Sequence, residues 1–252
     1  MKPIAVIAYN AFKETIRDKV LYGIAGFSAL YIVFAVLLSK VALQDITILK
    51  SFGLAGIYLF GSVVTVFLGA SIISKEIERR TLYFVLSKPV SRVQFVLGKF
   101  FGLALAIVLV IALMTCVYLG VVFANHGGLD TLGLAAVGYQ VLETVVMLAV
   151  LTFCSVIAAP LAGMLIAVMA LFVGHSLGSV MASAERIGGA FLWFIRFVYY
   201  VFPNLEKFDI RNAAVHGIVA PWPSALLAIT YALAYAVAML CLAIAFMKRK
   251  EL

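Results

Sequence analysis

Long runs of apolar residues, interrupted by short polar stretches, make up most of the chain. Uncharged runs extend from Val20 to Ser39 and from Ser51 to Ser74, and a third apolar run begins near Val96. A helix needs about 20 apolar residues to cross the hydrocarbon core of a bilayer. Because lipid tails offer no hydrogen bonds, the backbone in such runs must be helical. The pattern therefore predicts an all-α, polytopic membrane protein.

These runs predict six crossings within a single transmembrane domain that covers residues 1–252. The stretch from Leu132 to Ala184 has Glu143 as its only formal charge, and at about 1.5 Å per residue it is too long for one crossing. Since proline removes a backbone donor, we place the break between two crossings at Ala158–Pro160. The predicted spans are about 20–39, 51–74, 96–124, 136–157, 161–182 and 224–247.

Two further segments are predicted to lie in the membrane interface. Within residues 1–19, apolar residues recur every three or four positions from Ile4 to Ile16, while Lys13 and Glu14 take the opposite face. This spacing predicts an amphipathic interface helix. Before the last span, residues 187–202 are rich in aromatic side chains, contain Arg196 and are short for a crossing. This segment is predicted to be an interfacial or re-entrant helix.

The distribution of basic residues predicts the orientation. Thirteen of the nineteen Lys and Arg residues fall on one side of the six-span layout: four before the first span, six from Lys75 to Lys99 and three at the end of the chain. Basic residues beside spans stay in the cytoplasm, so both termini are expected there. The net charge of +8 then fits attraction to anionic membrane lipid, and nucleic-acid binding is not expected.

The most highly charged of these inner segments is the hairpin formed by residues 75–92, between the second and third predicted spans. It holds five basic residues and two acids within eighteen positions. Ser91-x-x-Gln94 at its end predicts a capping box that opens the next helix. Apolar residues within it recur at helical spacing and predict a short helix against a partner or the bilayer: Leu82, Val85 and Leu86.

Two strings of residues in the hairpin point to a family. They are Glu76-x-Glu78-Arg79-Arg80-Thr81-Leu82 and Leu86-Ser87-Lys88-Pro89-Val90-Ser91-Arg92. They resemble the cytoplasmic loop of type-2 ABC transporter permeases, which shows an acidic and basic run, Gly-Thr-Leu, and then Pro-Val-Ser-Arg after a small or basic residue. Arg80 stands where that family usually has glycine.

The resemblance implies a permease subunit of an ATP-driven transporter, an exporter in most relatives, in a prokaryotic plasma (inner) membrane. Two such subunits, identical or different, would pair with two cytoplasmic ABC ATPases, which would bind the ATP and Mg²⁺. The amphipathic N-terminus and the hairpin would dock on these ATPases. Carried over to this chain, the docking charges are Glu76, Glu78, Arg79 and Arg80, and the apolar docking face is Leu82, Val85 and Leu86. The alternative for the hairpin is a solvated loop that only sets topology.

The chain itself is not expected to be an enzyme. At its one Gly98-Lys99 pair, Val93 stands where a phosphate-binding loop needs glycine, and Phe100 replaces the Ser or Thr. Two alternatives of other classes remain. One is a secondary transporter or channel that needs no ATPase, and the other is an intramembrane serine hydrolase built on Gly174-His175-Ser176-Leu177-Gly178.

Glu143 and His175 are the candidate residues for the substrate path. They lie sixteen positions either side of Ala159, so a helical hairpin that turns there places them at the same depth. Placing an ionisable group inside a membrane costs free energy. Such a group therefore indicates a functional site and is expected to pair with another polar side chain. We therefore predict a paired polar site in the outward half of the path, with a purely structural contact as the alternative. No metal site is expected, since the cysteines and remaining histidines lack ligand spacing.

Overall fold

The computed structural model describes residues 3–17, 20–41, 46–74, 91–125, 128–219 and 221–249, which form helices and no strands. This architecture confirms the predicted all-α fold. The helices are α1 (Pro3–Arg17), α2 (Val20–Val41), α3 (Ile46–Ala70), α4 (Arg92–Ala124), α5 (Thr131–Ile157), α6 (Pro160–Ile187), α7 (Gly189–Val201), a 3₁₀ turn (Leu205–Phe208), α8 (Arg211–Val215) and α9 (Trp222–Arg249).

Five helices in the described part of the chain are long and apolar enough to cross a membrane: α3, α4, α5, α6 and α9. They overlap the second to sixth predicted spans. The first predicted span forms α2, which has 22 residues and is not one of these five, so the count of six crossings stays a prediction. Helix α7 has 13 residues, about 20 Å of helix, which is short for a crossing.

Helices α3 and α4 both begin about one turn before their predicted spans. The apolar run marks only the part of a helix that lies in hydrocarbon, whereas the helical backbone continues into the polar interface. Helix α4 has 33 residues, which at about 1.5 Å per residue exceeds the thickness of the bilayer core. Its first turns therefore lie beyond that core, next to the hairpin.

Helix α5 lies at the centre of the bundle and packs against α3, α4, α6, α8 and α9. It is the most buried of the five long helices, whereas α6 and α9 expose most of their apolar side chains. A helix that is apolar on all sides fits this central position. As predicted, α5 and α6 are separated at Ala158 and Ala159, which are extended, and Pro160 occupies the first turn of α6.

The end of the bundle that adjoins residues 75–90 is here called the hairpin end. The predicted capping box is present there: the Gln94 amide donates to the Ser91 hydroxyl (3.2 Å), and the Ser91 amide donates to the Gln94 side chain (3.0 Å). The Arg92 guanidinium donates to the carbonyl oxygens of Met247 (2.6 Å) and Lys248 (3.1 Å). These carbonyls belong to the last turn of α9, where helical acceptors need partners outside the helix.

Helix α1 packs along the first turns of α4. Gly98 and Gly102 of α4 face Ile7, Ala8 and Ala11 of α1, so the Gly98-x-x-x-Gly102 spacing allows these two helices to approach closely. The Lys99 ammonium also lies 3.6 Å from the Glu14 carboxylate. Together with the contact between Arg92 and α9, this packing joins three helices at the hairpin end.

The opposite end of the bundle, called here the α8 end, is held by a buried carboxylate. Asp130 caps α5 by accepting a hydrogen bond from the Gly133 amide (3.2 Å), and it also accepts one from the Tyr118 hydroxyl. Its carboxylate lies 3.3 Å from the Lys50 ammonium of α3. Three helices are thus tied together around one acid, because a buried carboxylate needs compensating donors and charge.

We expect Gly102→Ala to destabilise the protein by about 1–3 kcal/mol, because its methyl group would lie only 2.8 Å from the Ala11 Cβ and crowd the Ala8 backbone. The matched control is Gly120→Ala in the same helix, where a methyl group meets nothing within 4 Å. Since alanine favours helix over glycine by about 1 kcal/mol, the control should be neutral or stabilising. Thermal unfolding in detergent measures both, and equal effects would contradict the packing.

Candidate functional site

A cluster of polar side chains lies inside the bundle, between α3, α5 and α6 and below α8. Tyr58, Glu143 and His175 each lie twelve residues from the α8 end of their helices. At about 1.5 Å per residue this places all three about 18 Å along the helix axes, so they meet at one level. Helix α8 packs against α3 and α5 and covers the cluster from above.

The Tyr58 hydroxyl bridges the two residues that the sequence singled out. It lies 3.2 Å from Glu143 Oε1 and 3.2 Å from His175 Nε2. The direct distance between Nε2 and Oε1 is 3.6 Å. His175 Nδ1 lies 3.1 Å from the Leu171 carbonyl oxygen. Because a carbonyl oxygen can only accept, Nδ1 carries a proton, and Nε2 is the nitrogen left to exchange one with Tyr58.

Burial makes these contacts energetically important. The Glu143 side chain is only 5% exposed, and His175 is 23% exposed. A carboxyl group in such a position costs free energy unless it is hydrogen-bonded or paired. The structure brings Glu143 and His175 together at one depth, and it adds Tyr58 as the group between them. Their role in a substrate path stays a prediction.

Sequence reasoning missed Tyr58, Asp209 and Arg211. A tyrosine inside an apolar span is a usable signal, since its hydroxyl must find a partner once it is buried. The guanidinium of Arg211 lies 3.6 Å from the centroid of the Tyr58 ring. It also donates two hydrogen bonds to Asp209, of 2.8 Å from Nε to Oδ1 and 2.6 Å from Nη2 to Oδ2. An ion pair therefore covers the tyrosine by a cation–π contact.

The hydrogen bonds from Arg211 lower the pKa of Asp209 below its ordinary value of 3.8, because they favour the ionised carboxylate. Burial of Asp209 acts in the opposite direction and is the smaller effect. Asp209 therefore remains charged in the folded protein over the whole neutral range. The Asp209–Arg211 ion pair above the Tyr58 ring therefore persists over this pH range.

One cavity borders the cluster, and a second borders the Asp209–Arg211 ion pair above it. One has a volume of about 10 Å³, which is room for about one water molecule, and Glu143 is part of its wall. Its other polar lining residues are Ser62, Thr65, Gln140 and Thr144. The second cavity has a volume of about 240 Å³ and lies at the α8 end between α3 and α8. Asp209, Arg211, Asn212 and Ser51 are its polar lining residues.

The predicted docking residues of the hairpin lie outside the part of the chain that the structure describes. These residues are Glu76, Glu78, Arg79, Arg80, Leu82, Val85 and Leu86. Their docking role therefore stays a prediction. The described residues that flank them are Ser74 at the end of the second predicted span and Ser91 at the cap of α4.

The Gly174–Gly178 stretch does not have the geometry of a serine hydrolase. Ser176 lies within the continuous helix α6, and its hydroxyl donates to the Phe172 carbonyl oxygen (2.9 Å). A nucleophilic serine needs a sharp turn between a strand and a helix instead. Because the two glycines have no side chain, the 3₁₀ turn can pack closely against α6. Glu206 accepts a hydrogen bond from the Gly178 amide (2.8 Å), and Leu205 packs beside Gly174. Close packing thus accounts for this motif.

Comparison with known proteins identifies one family. A family model described as ABC-2 family transporter protein matches residues 5–252, which is nearly the whole chain. No curated protein matches the chain.

We expect Tyr58→Phe to destabilise the protein by about 1–3 kcal/mol, because the change removes a hydrogen-bond donor from the buried Glu143 carboxyl group. Tyr200→Phe is the matched control, since the Tyr200 side chain is 81% exposed. Unfolding in mixed detergent micelles with increasing dodecyl sulfate measures the difference. Equal stabilities of the two variants would show that the Tyr58 hydroxyl contributes nothing to the cluster.

The Asp209 ion pair predicts a defined pH dependence. A carboxylate with a lowered pKa in the folded state contributes stability above its ordinary value of 3.8, and this stability is lost as the pH falls through the lower, folded pKa. Asp209→Asn should therefore lower the melting temperature at neutral pH. The difference from wild type should shrink below pH 3.8. A difference that stays constant down to pH 3 would argue against the ion pair as its cause.

Proposed function

The chain belongs to the ABC-2 family of transporter proteins, and from this premise we propose that it is the permease of an ATP-driven exporter, coupled to a separate ATPase through residues 75–92. Family membership makes it a multi-pass membrane component of an ABC transporter rather than a catalytic subunit, and it implies an ATPase partner. Export is supported by the resemblance of the hairpin to a family whose members mostly export. The ATP and Mg²⁺ would be bound by the partner.

The coupling proposal rests on the contacts that join α1, α4 and α9 at the hairpin end. Ser91, the second-last residue of the hairpin, caps α4, and the last residue, Arg92, donates hydrogen bonds to carbonyl oxygens in the last turn of α9. Six and ten residues after Arg92, Gly98 and Gly102 allow α1 to pack closely against α4. A displacement of the hairpin by a closing ATPase would therefore move α1, α4 and α9 together. Such coupling requires the partner to bind the two states of the permease with different free energies.

The charge pattern supports the orientation that this mechanism needs. Lys and Arg residues are concentrated before the first predicted span, in the hairpin and at the end of α9. In a prokaryotic plasma membrane these segments face the cytoplasm, where an ATPase is available. The docking charges would be Glu76, Glu78, Arg79 and Arg80, with Leu82, Val85 and Leu86 as the apolar contact.

The bundle also has apolar surface for a second permease subunit or for lipid. Helix α6 exposes a row of large apolar side chains, and α7 exposes aromatic ones: Leu161, Leu165, Met169, Phe172, Trp193, Phe194 and Phe197. Exposed apolar area on this scale needs either a partner or hydrocarbon. A homo- or heterodimer would place the substrate path beside such a surface, with Glu143 and His175 on its outward half.

The proposal predicts the loss of a bound ATPase when the hairpin is neutralised. The tagged permease is purified from its own organism, and co-purifying subunits with nucleotide-binding motifs are counted by mass spectrometry. Replacing Glu76, Glu78, Arg79 and Arg80 with Gln should abolish co-purification, whereas the control Glu185→Gln/Arg186→Gln at the α8 end should not. Arg92→Gln should retain the ATPase but reduce the stimulation of ATP hydrolysis by the permease.

Several outcomes would contradict this proposal. Retention of the ATPase after neutralisation would remove the hairpin from the interface. Ion-driven flux through the purified chain alone would favour the secondary transporter or channel. Unchanged stimulation of ATP hydrolysis in Arg92→Gln would show that the contact with α9 only stabilises the fold.

A further inference from the structure

We propose that Glu143, Tyr58 and His175 form a proton-binding site that is reached from the α8 end and that holds one water molecule beneath Glu143. This inference uses residues for which a contact with substrate is also proposed. It depends neither on that role nor on the coupling to an ATPase. It follows from the order of the hydrogen-bonding groups and from the polarity of the two cavities on either side of them.

The Tyr58 hydroxyl makes the three side chains into one unit. It has a single proton and lies 3.2 Å from both Glu143 Oε1 and His175 Nε2. When His175 is doubly protonated, Nε2–H donates to the Tyr58 oxygen and Tyr58 O–H donates to the Glu143 carboxylate. When Glu143 is protonated instead, its O–H donates to Tyr58 and Tyr58 donates to Nε2. Both arrangements satisfy every group, because a hydroxyl can donate and accept at once.

The two arrangements differ by a balanced shift of protons. One proton leaves Nε2 for the Tyr58 oxygen while the tyrosine proton leaves for Glu143 Oε1, so the net charge of the unit stays the same. A further proton that arrives from the α8 end converts the unit into a form with His175 and Glu143 both protonated. Chains of Asp, Glu and His inside membranes are typical of proton relays.

We place access at the α8 end, because the Arg211 side chain over the Tyr58 ring borders the larger cavity there. The His175 side chain is 23% exposed and that of Glu143 is 5% exposed, so the histidine is the more accessible of the two. The charged groups that face the unit are Arg211 and Asp209, which border the cavity of about 240 Å³. Arg211 opposes an added positive charge on the unit, and Asp209 favours it. In the described part of the chain, the charged residues that face the unit are thus one cation, Arg211, and one anion, Asp209.

The small cavity on the other side of Glu143 completes the site. Gln140 Nε2 donates to the Ile57 carbonyl oxygen (3.0 Å), and the Thr65 hydroxyl donates to the Gly61 carbonyl oxygen (2.7 Å). These bonds leave the oxygen atoms of both side chains as acceptors for a guest molecule. A cavity of about 10 Å³ with several polar groups is suited to one ordered water. Val66, Met147 and Leu171 make up the apolar part of its wall.

The test is infrared difference spectroscopy of the purified full-length permease in nanodiscs during a pH titration. We expect the C=O stretch of a protonated carboxyl group, lost in Glu143→Gln, together with a tyrosine C–O change that Tyr58→Phe removes. Asp130→Asn is the matched control, because Asp130 is the other carboxylate of the described bundle that is 5% exposed, and its loss should leave the band unchanged. Persistence of this same band, unchanged, in Glu143→Gln would overturn the proposal.

The presence of the water molecule is tested separately. An O–H stretch that shifts in H₂¹⁸O should be present in wild type and lost in Thr144→Val, which removes a polar group from the cavity. Thr152→Val in the same helix should retain it, since the Thr152 hydroxyl already donates to the Leu148 carbonyl oxygen and does not border the cavity. Loss of the signal in both variants, or in neither, would remove the water from the proposal.

Access is tested with the permease reconstituted in vesicles whose inner and outer pH are set separately. The Glu143 band should follow the pH on the α8 side alone, and a band that follows the other side would overturn the proposed access. These readouts need neither substrate nor ATP. The failure of the proton site and the failure of the proposed transport function can therefore be told apart.

Discussion

Lipid tails can neither donate nor accept a hydrogen bond, and this constraint governs every level of the structure. It forces the backbone into helices, since only a helix satisfies its own amide and carbonyl groups. It also makes a partner on another helix or on the same backbone favourable for a polar side chain within the bundle. Glu143 meets Tyr58 and His175 for this reason, and Asp130 meets Tyr118 and Lys50. Such contacts are few in an apolar bundle, so each identifies neighbouring helices.

The two ends of the bundle are built differently, and the difference suits a transporter. At the hairpin end, backbone caps and glycine contacts join α1, α4 and α9 into one block. At the α8 end, a short helix and a 3₁₀ turn dip towards the centre and cover the polar cluster through Arg211. A block of three joined helices thus lies opposite the short elements that cover the polar cluster. Helix α5 lies between them and contacts elements of both ends.

The polar cluster contains a carboxyl group whose burial costs free energy, together with two side chains that can exchange a proton with it. A carboxyl group with 5% exposure is tolerated only with partners, and a tyrosine between an acid and a histidine provides them in two protonation arrangements. The ion pair of Asp209 and Arg211 stays charged across the neutral range and faces this unit. The electrostatics of the site therefore depend on a few side chains from four separate segments of the chain.

The sequence by itself determined the helical class, the break at Pro160, the capping box at Ser91 and the common depth of Glu143 and His175. All of these follow from local rules: hydropathy, the geometry of proline and the fixed rise of a helix. Only the tertiary structure decided that Tyr58 lies between the two residues, that Arg211 covers it and that Arg92 holds the end of α9. Which helices become neighbours, and how each is rotated about its axis, depends on packing between nearly uniform apolar surfaces. A one-dimensional apolar pattern does not encode that choice.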